Sequence, residues 1–245
     1  MTRLNKILLS IIFLLVTGAG FYHTPTAVQY IKENYVEHEN SNIAMIMNGR
    51  GHGTGFFIAH NLLVTNAHVV GDKTEVKVQL VNNAVVDGQV VGVDKEHDLA
   101  LVKLGFSKGE ILVMDLATLK RGDKVYTIGF GKGTWYSARY GRVLYHYLVD
   151  IPHYGIRSMY VRAQLATMPG HSGSPVFNSE GKVVGIISLG GGGETMFIPA
   201  SYIVDLHKKY LQFLEKLRIM KQRERERQAI ENLIKKRSPS NQGSK

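Results

Sequence analysis

The chain has 245 residues, 44% of them hydrophobic, and no cysteine. That length buries the core of one domain or of two small packed ones, and the missing thiols exclude a disulfide framework, a thiolate metal site and a cysteine nucleophile. The formal charge of +10 sits at one end: residues 207–245 hold twelve Lys/Arg against four Asp/Glu and the other 206 residues hold 18 against 16, so a nucleic-acid-binding role would rest on the tail alone.

Residues 1–22 begin with the cations Arg3 and Lys6, continue with the apolar run Ile7–Val16 broken only by Ser10, and end among Thr17, Gly18 and Ala19. This is a signal-peptide layout with a cleavage point after Gly18 or Ala19. Left uncleaved and extended to Tyr22, it makes a short anchor, since a spanning helix needs about 20 residues. Either form is expected to be a hydrophobic helix that takes the protein to the cell envelope, exported or membrane-anchored. Residues 23–42 are polar and read as a linker.

From Ile43 onward, short apolar runs alternate with Gly, Asn and Asp turns. The runs are Thr54–Ala59, Leu62–Thr65, Glu75–Val81, Val85–Val93 and Leu99–Leu104, then Lys124–Phe130, Trp135–Val149, Ser158–Ala166, Val183–Leu189 and Thr195–Ile198. Val76, Val78 and Leu80 alternate with Glu75, Lys77 and Gln79, the pattern of a strand with one buried face. Strands this close, with no long helical stretch between them, predict an all-β fold of barrels or sandwiches. Residues 105–121 divide them into two similar sets. After Pro199, Ile203, Leu206, Tyr210, Phe213, Leu217 and Met220 recur at helical steps. The seam fades in K-Q-R-E-R-E-R-Q, so the first half of the helix is expected to pack and the rest to be solvated.

Three polar residues stand at the ends of apolar runs, where loops gather and sites form. His68 follows the strand in L-L-V-T-N-A-H-V-V, Asp98 opens the strand in H-D-L-A-L-V-K-L, and Ser172 lies in M-P-G-H-S-G-S-P-V-F. A serine hydroxyl is a weak nucleophile and needs a base. Histidine titrates near neutral pH, and a buried carboxylate fixes its tautomer and stabilises its charged form. The backbone N–H groups of Gly170 and Ser172 are expected to bind the oxyanion. Asp94 is a rival to Asp98 without the D-L-A-L context, and His97 is expected to face outward. His52, His60 and His97 show no metal-ligand spacing, Gly190–Gly193 lacks the Lys-Ser/Thr of a phosphate loop, and no cofactor is implied.

Taken together, T-G-F-F-I-A-x-x-L-L-V-T-N-A-H-V-V, D-L-A-L-V-K-L and P-G-x-S-G-S-P-V-F-N-S-E-G-K-V-V-G-I resemble the chymotrypsin/trypsin-fold serine proteases, closest to their disulfide-free bacterial HtrA/Deg-like branch. The resemblance covers residues 43–203. It implies a double six-stranded antiparallel β-barrel, with barrels at about 43–105 and 122–200, a cleft between them, and a basic helical tail over 204–245. It makes His68 the base, Asp98 its orienter, Ser172 the nucleophile and Gly170 the second oxyanion donor of a serine endopeptidase acting on proteins or peptides. It puts the base of the primary substrate pocket at Ala166 and a wall at Ser188, Leu189 and Gly190. With no carboxylate there, small or medium apolar side chains are the expected preference. His171 departs from the branch's usual Asn and the digestive enzymes' Asp, which removes the acceptor for a zymogen-type N-terminus. Ser174 stands where Gly is commoner. Only about 40 residues follow the barrel, too few for the PDZ domain usual in this branch. The rival expectations are a catalytically silent protease fold used for binding and a membrane-attached adaptor. The tail reads as a solvated helix face, as a patch for anionic membrane or, last because export separates the two, as a nucleic-acid site.

Overall fold

A computed structural model describes residues 42–106, 111–133, 137–151 and 156–237. The leader, residues 23–41 of the linker, Trp135, Tyr136 and residues 238–245 lie outside the described residues. The first strand set forms β1 (Ile43–Met47), β2 (His52–Ala59), β3 (Leu62–Thr65), β4 (Glu75–Gln79), β5 (Val85–Asp94) and β6 (Leu99–Leu104), closed in the order β1-β2-β3-β6-β5-β4. The second forms β7 (Lys124–Gly129), β8 (Ser137–Ile151), β9 (Ile156–Gln164), β10 (Pro175–Asn178), β11 (Val183–Gly191) and β12 (Glu194–Pro199), closed as β10-β11-β12-β9-β8-β7. The expected all-β, two-barrel architecture is therefore what the chain adopts. Closure leaves no unpaired edge in either sheet.

The period-2 reading of β4 is seen directly: Val76 and Val78 are buried, and Glu75 and Lys77 are exposed. Ala44, Ile46, Phe57, Leu63, Val78 and Val102 fill the first barrel, and Val125, Val143, Val161, Val176, Ile187 and Phe197 the second. Each large apolar side chain among them, fully buried, stabilises the fold by about 1.5–3 kcal/mol. Two strands had no predicted run. β1 is buried at four of its five positions, so it shows no alternation; β10 is four residues long and opens on proline. A one-turn helix, α1 (Ala67–Val70), follows β3.

The second helix, α2 (Ala200–Arg237), leaves β12 without a break. Ile203 and Leu206 are buried, and the helix packs on β5, β6, β11 and β12. The packed part is shorter than expected, because Leu211, Phe213 and Met220 are already exposed. From there α2 is a charged rod carrying pairs such as Glu215–Arg218 and Arg227–Glu231. Exposed pairs of this kind add about 0.3–0.5 kcal/mol each. Among the described residues no helix is long and apolar enough to cross a membrane.

Candidate functional site

His68 and Asp98 come from the same rim of the first barrel. β3 and β6 are antiparallel, hydrogen-bonded neighbours, with Thr65 opposite Ala100, so the residues just after β3 lie beside those just before β6. Asp98 takes a left-handed conformation, φ 53°, which Asp tolerates better than most residues. The residue is 2% exposed, and its carboxylate meets His68 twice. The imidazole Nδ1–H donates to Oδ2 at 2.8 Å, and the His68 backbone N–H donates to Oδ1 at 3.0 Å. An ionised carboxylate only accepts, so the ring proton sits on Nδ1 and Nε2 keeps a free lone pair. Asn66 Nδ2 holds the Asp98 carbonyl at 3.0 Å.

Ser188 links this pair to Ser172. Its buried Oγ donates to Asp98 Oδ2 at 2.7 Å, and its carbonyl accepts the Ser172 Oγ–H at 3.1 Å. The Tyr160 phenol lies 3.2 Å from Ser188 Oγ, and since that oxygen's proton is committed to Asp98, the phenol is the donor. Burial above all pushes the Tyr160 phenol up to about 12, against the hydrogen bond with Ser188, so it stays protonated. Among the described residues, His68 Nε2 carries no hydrogen bond, and the Ser172 hydroxyl faces Ser188 rather than the ring.

The backbone around Ser172 can be accounted for group by group. Carbonyls 169 to 172 are each taken: Pro169 by Lys132 N–H at 2.7 Å, Gly170 by Thr54 Oγ1 at 2.8 Å, His171 by Ser174 N–H at 2.9 Å, and Ser172 by Thr54 N–H at 2.7 Å. The N–H groups of His171, Gly173 and Ser174 are also used, on Met168, Ile187 and His171. Among the described residues, those of Gly170 and Ser172 are left over. A trans peptide points its C=O and N–H in opposite directions, so tying the Pro169 and His171 carbonyls down turns these two N–H groups the other way. The turn demands glycine at both flanks. Gly170 has φ 102°, and a Cβ there would come 2.2 Å from the Phe130 carbonyl oxygen; Gly173 has φ 86°, and its Cβ would come 1.9 Å from that of Thr54.

His171, which departs from the resembled pattern, is fully buried. Its Nε2 lies 2.9 Å from Ser137 Oγ and its Nδ1 3.2 Å from the Met168 carbonyl. Burial is the main cause that lowers its pKa from the usual histidine value, with the Arg139 charge adding to it and the bonds to the Ser137 and Met168 carbonyls opposing. It packs the loop from within. Asp94 pairs with His97 at 2.9 Å, not with His68. His97 does not face outward: its side chain is 18% exposed and stacks on Tyr202 of α2 at 4.3 Å.

The residues named for a substrate pocket fall in two places. Ala166 is exposed, and its carbonyl accepts Arg139 Nε–H at 3.1 Å. Gly190 is exposed and Leu189 half-buried, while the Ser188 side chain is turned inward to Asp98. The side chains beside Gly190 are Thr167 and Thr195, whose hydroxyls would lie 2.1 and 3.2 Å from a Cβ at Gly190. Thr195 Oγ1 donates to the Leu165 carbonyl at 2.5 Å, so Thr167 Oγ1 donates to Thr195 at 2.6 Å.

Sequence reasoning did not single out Thr54, Tyr160 or Thr167, or the hydrogen-bonding side chain of Ser188. A signal existed for two of them. Thr54 stands between glycines in G-T-G, and Ser188 is the polar residue that interrupts an otherwise apolar β11. Among the described residues no group of three or more His, Cys, Asp or Glu is placed to hold a metal ion.

Comparison with known proteins gives a consistent picture. A serine protease HtrA-like of Staphylococcus aureus (strain bovine RF122 / ET3-1) is 36% identical over 137 residues, and that of strain USA300 is 35% identical over the same length. The match takes in 51% of this chain but only 18% of those relatives' own length. The Rv3671c protease of M. tuberculosis in its active form superposes with a TM-score of 0.67 at 22% identity, covering 74% of this chain and 86% of that one. A serine endoprotease from Yersinia pestis gives 0.60 at 20% identity, covering 70% and 63%. At that identity the two structures speak for the fold. The family profile described as trypsin-like peptidase domain matches residues 53–186, more than half of the chain, and the chain belongs to that family.

Proposed function

We propose that the chain is a serine endopeptidase that works through an acyl-enzyme, with Ser172 as nucleophile, His68 as base and Asp98 as the group that orients the ring and stabilises its charged form. One observation carries the reading: the buried Asp98 carboxylate fixes the His68 Nδ1–H at 2.8 Å and connects, through Ser188, to the Ser172 hydroxyl. For attack, Ser172 Oγ has to leave the Ser188 carbonyl, which it meets at 3.1 Å, and turn to Nε2. The ring takes the proton as Oγ attacks the peptide carbonyl, and Asp98 stabilises the imidazolium. The new oxyanion lies against the unused N–H groups of Gly170 and Ser172, each worth about 3–4 kcal/mol of barrier. The ring then gives its proton to the leaving amine, and water repeats the sequence on the acyl-enzyme.

Gly190 is flanked by Thr167 and Thr195, whose hydroxyls are satisfied and carry no charge, which suits a small or medium apolar side chain. The rival reading, a silent fold used for binding, draws on the Ser172 hydroxyl facing Ser188. Digestion of a peptide library separates them. Cleavage after small and medium apolar residues, lost in Ser172→Ala, is the expected result. Cleavage mainly after Lys or Arg overturns the pocket, and an inert but folded wild type overturns the enzyme. The signal-peptide layout of residues 1–22 and the similar HtrA-like relatives support action at the cell envelope.

A further inference from the structure

The outer wall of the second barrel carries an open groove of about 810 Å³, lined by Lys124, Tyr126, Tyr140, Arg142, Gln164 and Ala166 among others. Two rows of side chains form its floor. Lys124 stands directly opposite Arg142, and Arg142 opposite Gln164. One pleat further on, Phe177 stands opposite Tyr126, and Tyr126 opposite Tyr140. Val125, between the rows on β7, belongs to the core, so Lys124 and Tyr126 lie on the outer face of that strand, while Phe177, 2% exposed, is buried at the inner end of the aromatic row. The aromatic row is stacked, with centroids 4.9 Å apart from Phe177 to Tyr126 and 5.8 Å from Tyr126 to Tyr140. Tyr140 nevertheless stays 50% exposed.

The cationic row is not explained by folding. Like charges directly opposite on neighbouring strands destabilise a sheet. Among the described residues neither Lys124 nor Arg142 has a carboxylate partner; Arg142 Nη1 donates to the Gly122 carbonyl at 2.9 Å. The acids nearby are engaged elsewhere, Glu180 with Lys182 and Glu194 with Arg162, while Asp123 caps the Lys120 N–H. Gly141 and Gly193 also line the groove and put no side chain into it.

We propose that this groove docks an acidic, extended segment of a polypeptide, with a carboxylate over Lys124 and Arg142 and an aromatic or large apolar side chain on the Tyr126–Tyr140 ledge. The two rows are about 6.8 Å apart along the strand, the spacing of residues i and i+2 in an extended chain. Charge complementarity chooses the acid, and the exposed ring face chooses its neighbour. Ala166, at the groove's edge, is six residues before Ser172, so a segment held here would lie on a polypeptide that also reaches the cleft. That last step rests on the protease reading; the docking itself does not.

The test uses fluorescence anisotropy on the full chain carrying Ser172→Ala. The probes are a labelled peptide with Glu and Phe two positions apart, the same peptide with Lys for Glu, and the same with Ala for Phe. Saturable binding of the first peptide is expected, weakened at least tenfold by the double variant Lys124→Glu/Arg142→Glu and several-fold by Tyr140→Ala. It should also weaken as salt shortens the Debye length from about 10 Å to about 3 Å. No saturable binding, equal binding of the Lys peptide, or indifference to charge reversal overturns the proposal. Displacement of the peptide by phosphatidylglycerol vesicles, lost on charge reversal, also overturns it and assigns the patch to a membrane surface. Fluorophosphonate labelling of wild type, run alongside, keeps the two readings apart. Labelling without peptide binding removes the groove alone, and peptide binding without labelling removes the protease alone.

Discussion

The two barrels contribute different kinds of hardware to the proposed site. The first supplies side chains, an imidazole and a carboxylate held at adjacent strand ends by β3–β6 pairing. The second supplies a hydroxyl and a folded piece of backbone, residues 169–174, whose carbonyls are tied down so that two N–H groups are released. Thr54 of the first barrel fastens the two together: its N–H and Oγ1 hold the Ser172 and Gly170 carbonyls, and its Oγ1 accepts from Phe130 N–H at 3.1 Å. The difference teaches that the side-chain half can fail one residue at a time, whereas the backbone half fails as a unit when any of its ties is cut.

Substitutions can break that comparison in order of size. Ser172→Ala removes the proposed nucleophile and should cut kcat by about 10⁶-fold, with Asp98→Asn costing about 10⁴-fold through the wrong ring tautomer. Gly170→Ala, forced against the Phe130 carbonyl, should displace an oxyanion donor and lower kcat about 10²–10³-fold with little change in KM. Thr54→Val keeps every side chain assigned to catalysis yet cuts the tie to the Gly170 carbonyl and the bond from Phe130 N–H. It should cost about 1–3 kcal/mol of stability by denaturant melt and depress kcat together with it. If stability alone falls, the barrels are independent and the comparison fails.

A pH scan sharpens the backbone half further. The pKa of buried His171 is lowered, mainly by desolvation, so on acidification the unfolded chain takes up its proton before the folded one does. The stability it contributes is present above the unfolded value of about 6.5 and is lost as pH falls toward the folded value. His207, also lowered by burial, acts in the same direction. The Tm of wild type should therefore drop more steeply below neutrality than that of His171→Asn, which retains only the His207 share. Equal slopes contradict the burial of a neutral His171. The smallest effect is expected at the far end of the chain. Truncation after Gln212 removes the largely exposed part of α2 together with the residues beyond it and should leave kcat/KM on a short peptide within about twofold, since surface changes of this kind are near neutral.

The side-chain half was the legible half. His68 and Asp98 each adjoin an apolar run, which marked them as candidates; their meeting was implied by the resemblance to the serine proteases, and the β3–β6 pairing is what brings them together. The backbone half left a weaker mark. Gly170 and Gly173 announced a special turn, but which carbonyls were tied and by whom depends on long-range partners: Thr54 lies 116 residues from Gly170. Ser188 read as pocket wall because its place in the chain says nothing of its rotamer, which takes Oγ to Asp98, while its backbone carbonyl accepts from Ser172. β1 escaped because a strand buried on both faces loses its period. His97 was misread for a related reason: its cover, Tyr202, comes from a helix about a hundred residues further along the chain.

Labelling with a fluorophosphonate, followed by mass-spectrometric mapping of the adduct, tests the central claim most directly. A single adduct on Ser172 is predicted, slowed about a thousandfold or more in His68→Ala and absent in Ser172→Ala. No adduct on a folded wild type, or one whose rate ignores His68, contradicts the joining of Asp98, His68 and Ser172 into one catalytic unit.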